Sequence, residues 1–237
     1  MIRINMLSGP RNISTALMYS FAQRADTRVM DEPFYAVYLA RSGAEHPARQ
    51  EVLTTMSQDE AEVTDSIVNA TDCEVLYVKN MTHHQEILDD GYLDECVNVF
   101  LIRDPVQIIA SYAKVIKNPV MRDIGIAYQH GLFKALAEKG RQPVVIDSNI
   151  VLQNPGAALE MLCDASGISF DPAMLSWPAG PKPYDGVWAP HWYGQVHAST
   201  GFARQSTNAV DVPPHLRDLR DEARTYYEEL LPFALKP

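Results

Sequence analysis

The chain has 237 residues, 46% of them hydrophobic and 21% charged, with a formal net charge of -10. That balance is ordinary for a globular domain but argues against a general nucleic-acid or anionic-membrane binder. Any anionic ligand therefore needs a local basic pocket inside an acidic protein. The length suits one sizeable core and a single domain over 1–237.

The elements follow in chain order. Arg3 to Leu7 is a short apolar run that predicts a buried strand, and Ile13, Leu17 and Phe21 then line one face of a helix. Thr27 to Met30, Val75 to Lys79, Asn98 to Ile102 and Pro143 to Asp147 repeat the strand pattern. They are rich in Val, Leu and Ile and do not alternate, as strands buried on both faces of a parallel sheet do. Between the second and third runs, a polar stretch at about 47–70 predicts two inserted surface helices. Ile108, Ile109, Tyr112 and Ile116 predict a helix opening near Pro105, and Leu159, Leu162 and Cys163 another at Pro155, a favoured first-turn residue. Residues of about 177–213, rich in Pro, Gly and aromatics, predict an irregular lid or substrate wall. Leu216, Leu219, Ala223, Tyr226, Tyr227 and Leu230 predict a final amphipathic helix. The expected fold is α/β, three-layered and P-loop-like, with a central, mostly parallel sheet flanked by helices.

Cys73, Cys96 and Cys163 are widely spaced without a CxxC pair and read as reduced thiols of a cytoplasmic protein. No signal peptide or membrane span is expected, nor a nucleic-acid partner.

In open α/β sheets, ligands bind beyond the C-terminal ends of the strands. Four such ends are polar here: Ser8-Gly9-Pro10-Arg11-Asn12-Ile13-Ser14-Thr15, Asp31-Glu32-Pro33, Lys79-Asn80 with Thr82-His83-His84, and Arg103-Asp104-Pro105 with Ser111. The first is a strand, a tight polar loop and a helix start, which together make an anion site. A plain turn capped by Ser14 is the alternative. The loop lacks the Gly-Lys-Ser/Thr ending of a Walker A motif, which disfavours an ATP-driven kinase. Asp31 and Glu32 either supply a general base or cap the helix that Pro33 opens, and His83 or His84 is the rival base. Arg103 either meets a phosphate or makes an ion pair, with Asp104 as a helix cap. Trp188, Trp192 and Tyr193 stack on a ligand, wall a pocket or pin the loop. The His83-His84 and His191/His197 pairs lack a third ligand nearby, so no metal is expected.

The loop Ser8 to Thr15 resembles the 5′-phosphosulfate loop of sulfotransferases. Arg103 with Ser111, eight positions on, resembles that family's R-x7-S element for a 3′-phosphate. Glu32 is placed like the catalytic glutamate of bacterial and tyrosylprotein members. Val145-Ile146-Asp147 through Asn154-Pro155, then Leu159, Gly167 and Phe170-Asp171, resembles a further conserved stretch. The similarity runs over about residues 3 to 175. The loop is also similar to a subgroup of sulfotransferase-like proteins labelled by association with branched-chain aminotransferases. Nothing in this chain suggests a pyridoxal enzyme, so that label is set aside.

The resemblance implies sulfuryl transfer from 3′-phosphoadenosine 5′-phosphosulfate to a hydroxyl or amine of a small-molecule acceptor, without a metal. Alternatives are a nucleotide-dependent phosphotransferase and a non-catalytic nucleotide-binding protein. Under the resemblance, Arg11, Glu32, Lys79 and His83 are the catalytic candidates. Pro10, Arg11, Asn12, Ile13, Ser14, Thr15, Arg103, Ser111 and Arg204 are the candidates for holding the donor. Arg204 would stand in for an Arg-Lys-Gly segment this chain lacks. Asn12-Ile13 replaces the usual Ser-Gly, which makes the loop bulkier and less permissive in φ, and Asp147-Ser148 replaces Glu-Asp. The acceptor's identity and the oligomeric state, a homodimer among the options, stay open.

Overall fold

The computed structural model describes residues 1–114, 116, 118–203 and 211–236. The chain order is β1 (Ile2–Ser8), α1 (Ser14–Phe21), β2 (Thr27–Asp31), α2 (Tyr35–Ser42), α3 (Arg49–Thr55), α4 (Glu60–Val68), β3 (Val75–Met81), α5 (Thr82–Gln85), β4 (Val97–Ile102), α6 (Pro105–Tyr112), α7 (Met121–Ile124), α8 (Ile126–Glu138), β5 (Val144–Asp147), α9 (Ser148–Gln153), α10 (Pro155–Ala165), α11 (Ala189–Trp192), α12 (Gly194–His197) and α13 (Arg217–Leu230). All five strands are parallel, in the spatial order β2-β3-β1-β4-β5.

Alternate strand residues feed two cores, one on each face. Ile4 and Met6 of β1, Tyr77 of β3 and Val99 and Leu101 of β4 pack with Leu17, Met18 and Phe21 of α1 and Leu159 and Leu162 of α10. Leu7, Leu76, Val78, Phe100 and Ile102 face the other way, onto Ile108 and Ile109 of α6, Leu132 and Phe133 of α8, and Ala223 and Leu230 of α13. Each such fully buried side chain contributes about 1.5–3 kcal/mol over its exposed state. This is why β1, β3 and β4 read as continuous apolar runs. β2, at the edge, stays half-buried until Asp31.

The two surface helices expected at about 47–70 are α3 and α4. The helix from Pro105 is shorter than its apolar spacing suggests. It ends at Tyr112, and Ile116 is 37% exposed. Asn118-Pro119 follows closely, and proline disfavours helix in the residue before it. The 177–213 segment carries, among its described residues, two single turns, α11 and α12, where no regular structure was expected. Its Gly186 is obligatory: a Cβ there would meet the Trp188 ring at 2.2 Å. Among the described residues, no helix is long and apolar enough to cross a membrane.

Candidate active site

The C-terminal strand ends open into one cavity of about 720 Å³. Pro10, Arg11, Asn12, Ile13, Ser14 and Thr15 line its floor. Glu32, Lys79 and His83 line it from β2 and β3, and Arg103 and Ser111 from beyond β4. Of the residues singled out from the sequence, only Arg204 lies outside the described residues.

The β1–α1 loop is built to present backbone. Gly9 permits it to pass under α7, since a Cβ there would sit 2.4 Å from the Ile124 carbonyl oxygen. The left-handed residue is Arg11, at φ 54°, while Ile13 takes an ordinary φ of -94°. The bulk of Ile13 at a glycine position is therefore tolerated: the turn falls two residues earlier. Asn12 folds inward, donating to the Leu101 carbonyl at 3.2 Å and accepting from the Ile13 amide at 2.9 Å. No side chain caps α1; its N-cap is Ile13, and Ser14 is its first residue rather than its cap. By contrast, Asp59, Asp104, Asp147 and Asn154 cap α4, α6, α9 and α10 with their own side chains. A carboxylate at the α1 start would repel an anion; its absence leaves the first-turn amides to the cavity.

Cations complete this end. Arg11 Nε donates to Ser111 Oγ at 3.0 Å, and Arg103 Nη1 donates to the Arg11 carbonyl at 2.5 Å. Arg103 also donates to Gln107 Oε1 at 3.0 Å. Burial, and then the Arg11 charge, lower the Arg103 pKa. Arginine stays protonated regardless, so Arg11 and Arg103 bring two positive charges to this end of the cavity. An uncapped helix start beside two arginines suits an anionic group such as a phosphate.

The other end is acidic. Register sets Asp31 of β2 beside Lys79 of β3. Lys79 Nζ donates to Asp31 Oδ1 at 2.8 Å, Glu32 Oε1 at 2.5 Å and Tyr193 Oη at 2.7 Å. Asp31 also accepts from the Tyr193 hydroxyl at 2.9 Å and from the Gly186 amide at 3.0 Å. Its oxygens are thus satisfied within the protein. Glu32 lines the cavity, and its Oε2 lies 3.9 Å from His84 Nδ1. Glu32 is also held at φ 47°. Arg11 and Glu32 are thus two of the three left-handed non-glycine residues among those described, and such strain gathers at functional sites. Burial raises the Glu32 pKa and the Asp31 charge adds to it, with Lys79 opposing both.

This geometry separates the alternatives. Asp31 and Glu32 turn to Lys79 and cap nothing; Phe34 precedes α2 without a side-chain cap. Lys79 is held between two carboxylates and a phenol, so it organises the acidic end instead of offering a free cation. Burial pushes His83 down to about 3 and holds His84 well below its ordinary value, so both rings are neutral and weakly basic. Asp104 does cap α6, accepting from Val106 N at 2.9 Å. Trp188 is buried and donates to Tyr193 Oη at 3.1 Å. Those two rings pin the lid to the centre, while Trp192, 39% exposed, lines the cavity.

Tyr38 and His46, at this end, carried no sequence signal. Tyr35 donates or accepts with His46 Nδ1 at 2.7 Å, and Tyr35 and Tyr38 both stack on His84. Tyr193 lies 114 positions from Lys79, so no local pattern could join them.

A parallel five-stranded sheet flanked by helices, with a polar loop after β1, a glutamate after β2 and an arginine–serine pair after β4 at one cavity, defines an α/β fold of the sulfotransferase type. A family model described as a sulfotransferase domain matches residues 2–231. The chain belongs to the sulfotransferase domain family. The structure is similar to that of a sulfotransferase from Alicyclobacillus acidocaldarius, with a TM-score of 0.56 and 12% identity over 99% of this chain and 98% of that one. It is also similar to the sulfotransferase domain of the Synechococcus PCC 7002 olefin synthase, with a TM-score of 0.54 and 14% identity over 99% and 96% of the two chains. At such identities these likenesses establish the fold. Two relatives from Arabidopsis thaliana, named branched-chain-amino-acid aminotransferase-like proteins 1 and 2, are 38% and 35% identical over 229 residues. The match covers 96% of this chain but 41% of each relative's length.

Proposed function

We propose that this chain transfers a sulfuryl group from 3′-phosphoadenosine 5′-phosphosulfate to a hydroxyl or amine of a small molecule. The observation that carries this reading is the Arg11–Ser111 contact. It fuses the β1 loop and the Arg103/Ser111 element into one cationic surface, facing Glu32 across a shared cavity.

The donor supplies an activated sulfuryl group joined to a good leaving phosphate. Arg11, Ser14, Thr15 and the first-turn amides of α1 hold its 5′ end, and Arg11 offsets the negative charge that grows there as the bond to sulfur breaks. Arg103 and Ser111 hold the 3′-phosphate. Glu32 Oε2 takes the acceptor's proton, and its raised pKa makes it a stronger base than an ordinary carboxylate. Calorimetry with adenosine 3′,5′-bisphosphate and, separately, with Mg-ATP tests the reading. Saturable binding of the bisphosphate in preference to Mg-ATP is expected. Preference for Mg-ATP would overturn it in favour of phosphoryl transfer.

A further inference from the structure

We infer that the acceptor carries a protonated amine beside its reacting hydroxyl, as a small amino alcohol or amino phenol does. This rests on the sulfuryl-transfer reading and concerns the other half of the same cavity.

The strand order divides that cavity by charge. Arg11, Arg103 and Lys114 line the part served by β1, β4 and α6. The part over β2 and β3 is walled by Glu32, Tyr35, Tyr38, His83 and His84, with Asp123 of α7 also on the lining. Cations near this half are already matched by carboxylates. Lys79 is held by Asp31 and Glu32. Arg122 lies over the Tyr38 ring at 5.9 Å and pairs with Glu86 at 2.8 Å, and it does not line the cavity. His46, His83 and His84 are kept neutral, chiefly by burial, and add no positive charge.

Asp123 is the recognition element. One of its oxygens accepts from the Val120 amide at 2.9 Å. Its charge is felt by Tyr38 and Tyr112, whose pKa values, raised mainly by burial, it pushes up further. It shares the cavity lining with Tyr35, Tyr38 and Tyr112. A carboxylate on a lining rich in aromatic rings suits an ammonium and opposes a carboxylate or phosphate.

The step balances with the amine as a spectator. The acceptor O–H bond breaks and its proton passes to Glu32 Oε2. The oxygen forms a bond to sulfur, the bond from sulfur to the 5′-phosphate oxygen breaks, and adenosine 3′,5′-bisphosphate leaves. The ammonium keeps its proton throughout.

Three matched phenols test this on enzyme saturated with adenosine 3′,5′-bisphosphate: tyramine, 4-ethylphenol and 4-hydroxyphenylacetate. Calorimetry should give the order tyramine, ethylphenol, hydroxyphenylacetate, with about a tenfold gap between the first two. Asp123→Asn keeps an oxygen for Val120 and should erase that gap, with bisphosphate affinity unchanged. The inference is overturned if the anion binds as well as tyramine, if none of the three binds the loaded enzyme, or if the variant keeps the gap. In each of those cases the bisphosphate still loads and the sulfuryl-transfer reading stands. Failure of the bisphosphate to load removes both.

Discussion

Arg11 donates to Ser111 across 100 positions of sequence, at 3.0 Å. The contact ties the loop after β1 to helix α6, and both residues line the same cavity. Arg103, donating to the Arg11 carbonyl, fixes the same loop from beneath. Disturbing any one of the three should disturb donor binding as a unit.

Arg11 carries both a charge and a left-handed backbone, and the two can be separated. Arg11→Gly removes the side chain at a φ of 54° that glycine adopts freely. The melting temperature should hold or rise, while turnover falls about 10²–10³-fold through loss of electrostatic stabilisation. Thermal shift and steady-state kinetics on the same preparation check it. Unchanged turnover would remove Arg11 from the chemistry.

Arg103→Ala should weaken adenosine 3′,5′-bisphosphate about 10- to 100-fold, as expected for a lost charge-assisted phosphate contact. Adenosine 5′-monophosphate, which lacks the 3′-phosphate, should lose less. Titrating both nucleotides separates a 3′ role from simple support of the loop; equal losses would point to the latter.

Glu32 must be ionised to accept a proton, and burial raises its pKa. Activity should therefore climb with pH along an acid limb placed above the usual carboxylate range. The Tyr193 hydroxyl lowers the Glu32 pKa. Tyr193→Phe should move that limb to higher pH, whereas Glu32→Gln abolishes it with bisphosphate binding retained. A limb that stays put in Tyr193→Phe would separate this tyrosine from the base.

Lys79→Met leaves Asp31 and Glu32 buried without their shared cation. Such uncompensated burial costs about 3–5 kcal/mol. The loss should be greatest at neutral pH and shrink as pH falls, because protonated carboxyls need no cation. In the parent protein, burial acts to lower the Lys79 pKa, but Asp31 and Glu32 outweigh it and raise it well above its ordinary value. Its stabilisation is therefore complete across neutral pH and is lost only as pH rises through that elevated value. Denaturant melts of both proteins from pH 5 to 9 test this. A Lys79→Met protein equally stable throughout would contradict the charge account.

Asp147 caps α9 through the Asn149 and Ile150 amides and accepts from Tyr227 of α13 at 2.9 Å. Asp147→Ala should lower stability by about 2–3 kcal/mol, the loss of a cap plus an orphaned hydroxyl. A drop within a few tenths of a kcal/mol of zero in chemical melts would show that the sheet-edge contact is dispensable.

Local chemistry made much of this legible. The apolar runs of β1, β3 and β4 are continuous because both faces are covered, and the polar loop after Leu7 does line the cavity that its residue types suggest. The same locality misled at Ile116, where apolar spacing outlasts the helix, and at Ile13, whose bulk matters only if that residue carries the turn. Lys79 reads as a free cation until its neighbours in space are known. The acidic end was the least legible, because its members come from β2, β3, α2, α7 and the lid.

By itself, the sequence determined the five strands, the helices α1, α2, α3, α4, α6, α10 and α13, and which strand tips carry polar chemistry, because burial periodicity and residue type are local properties. Only the tertiary structure decided that β3 lies between β2 and β1, and β4 on the far side. That order places Lys79 against Asp31 and Glu32, Arg103 against Arg11, and the two charges at opposite ends of one cavity. Strand pairing is a contest among long-range contacts, and no single segment carries its outcome.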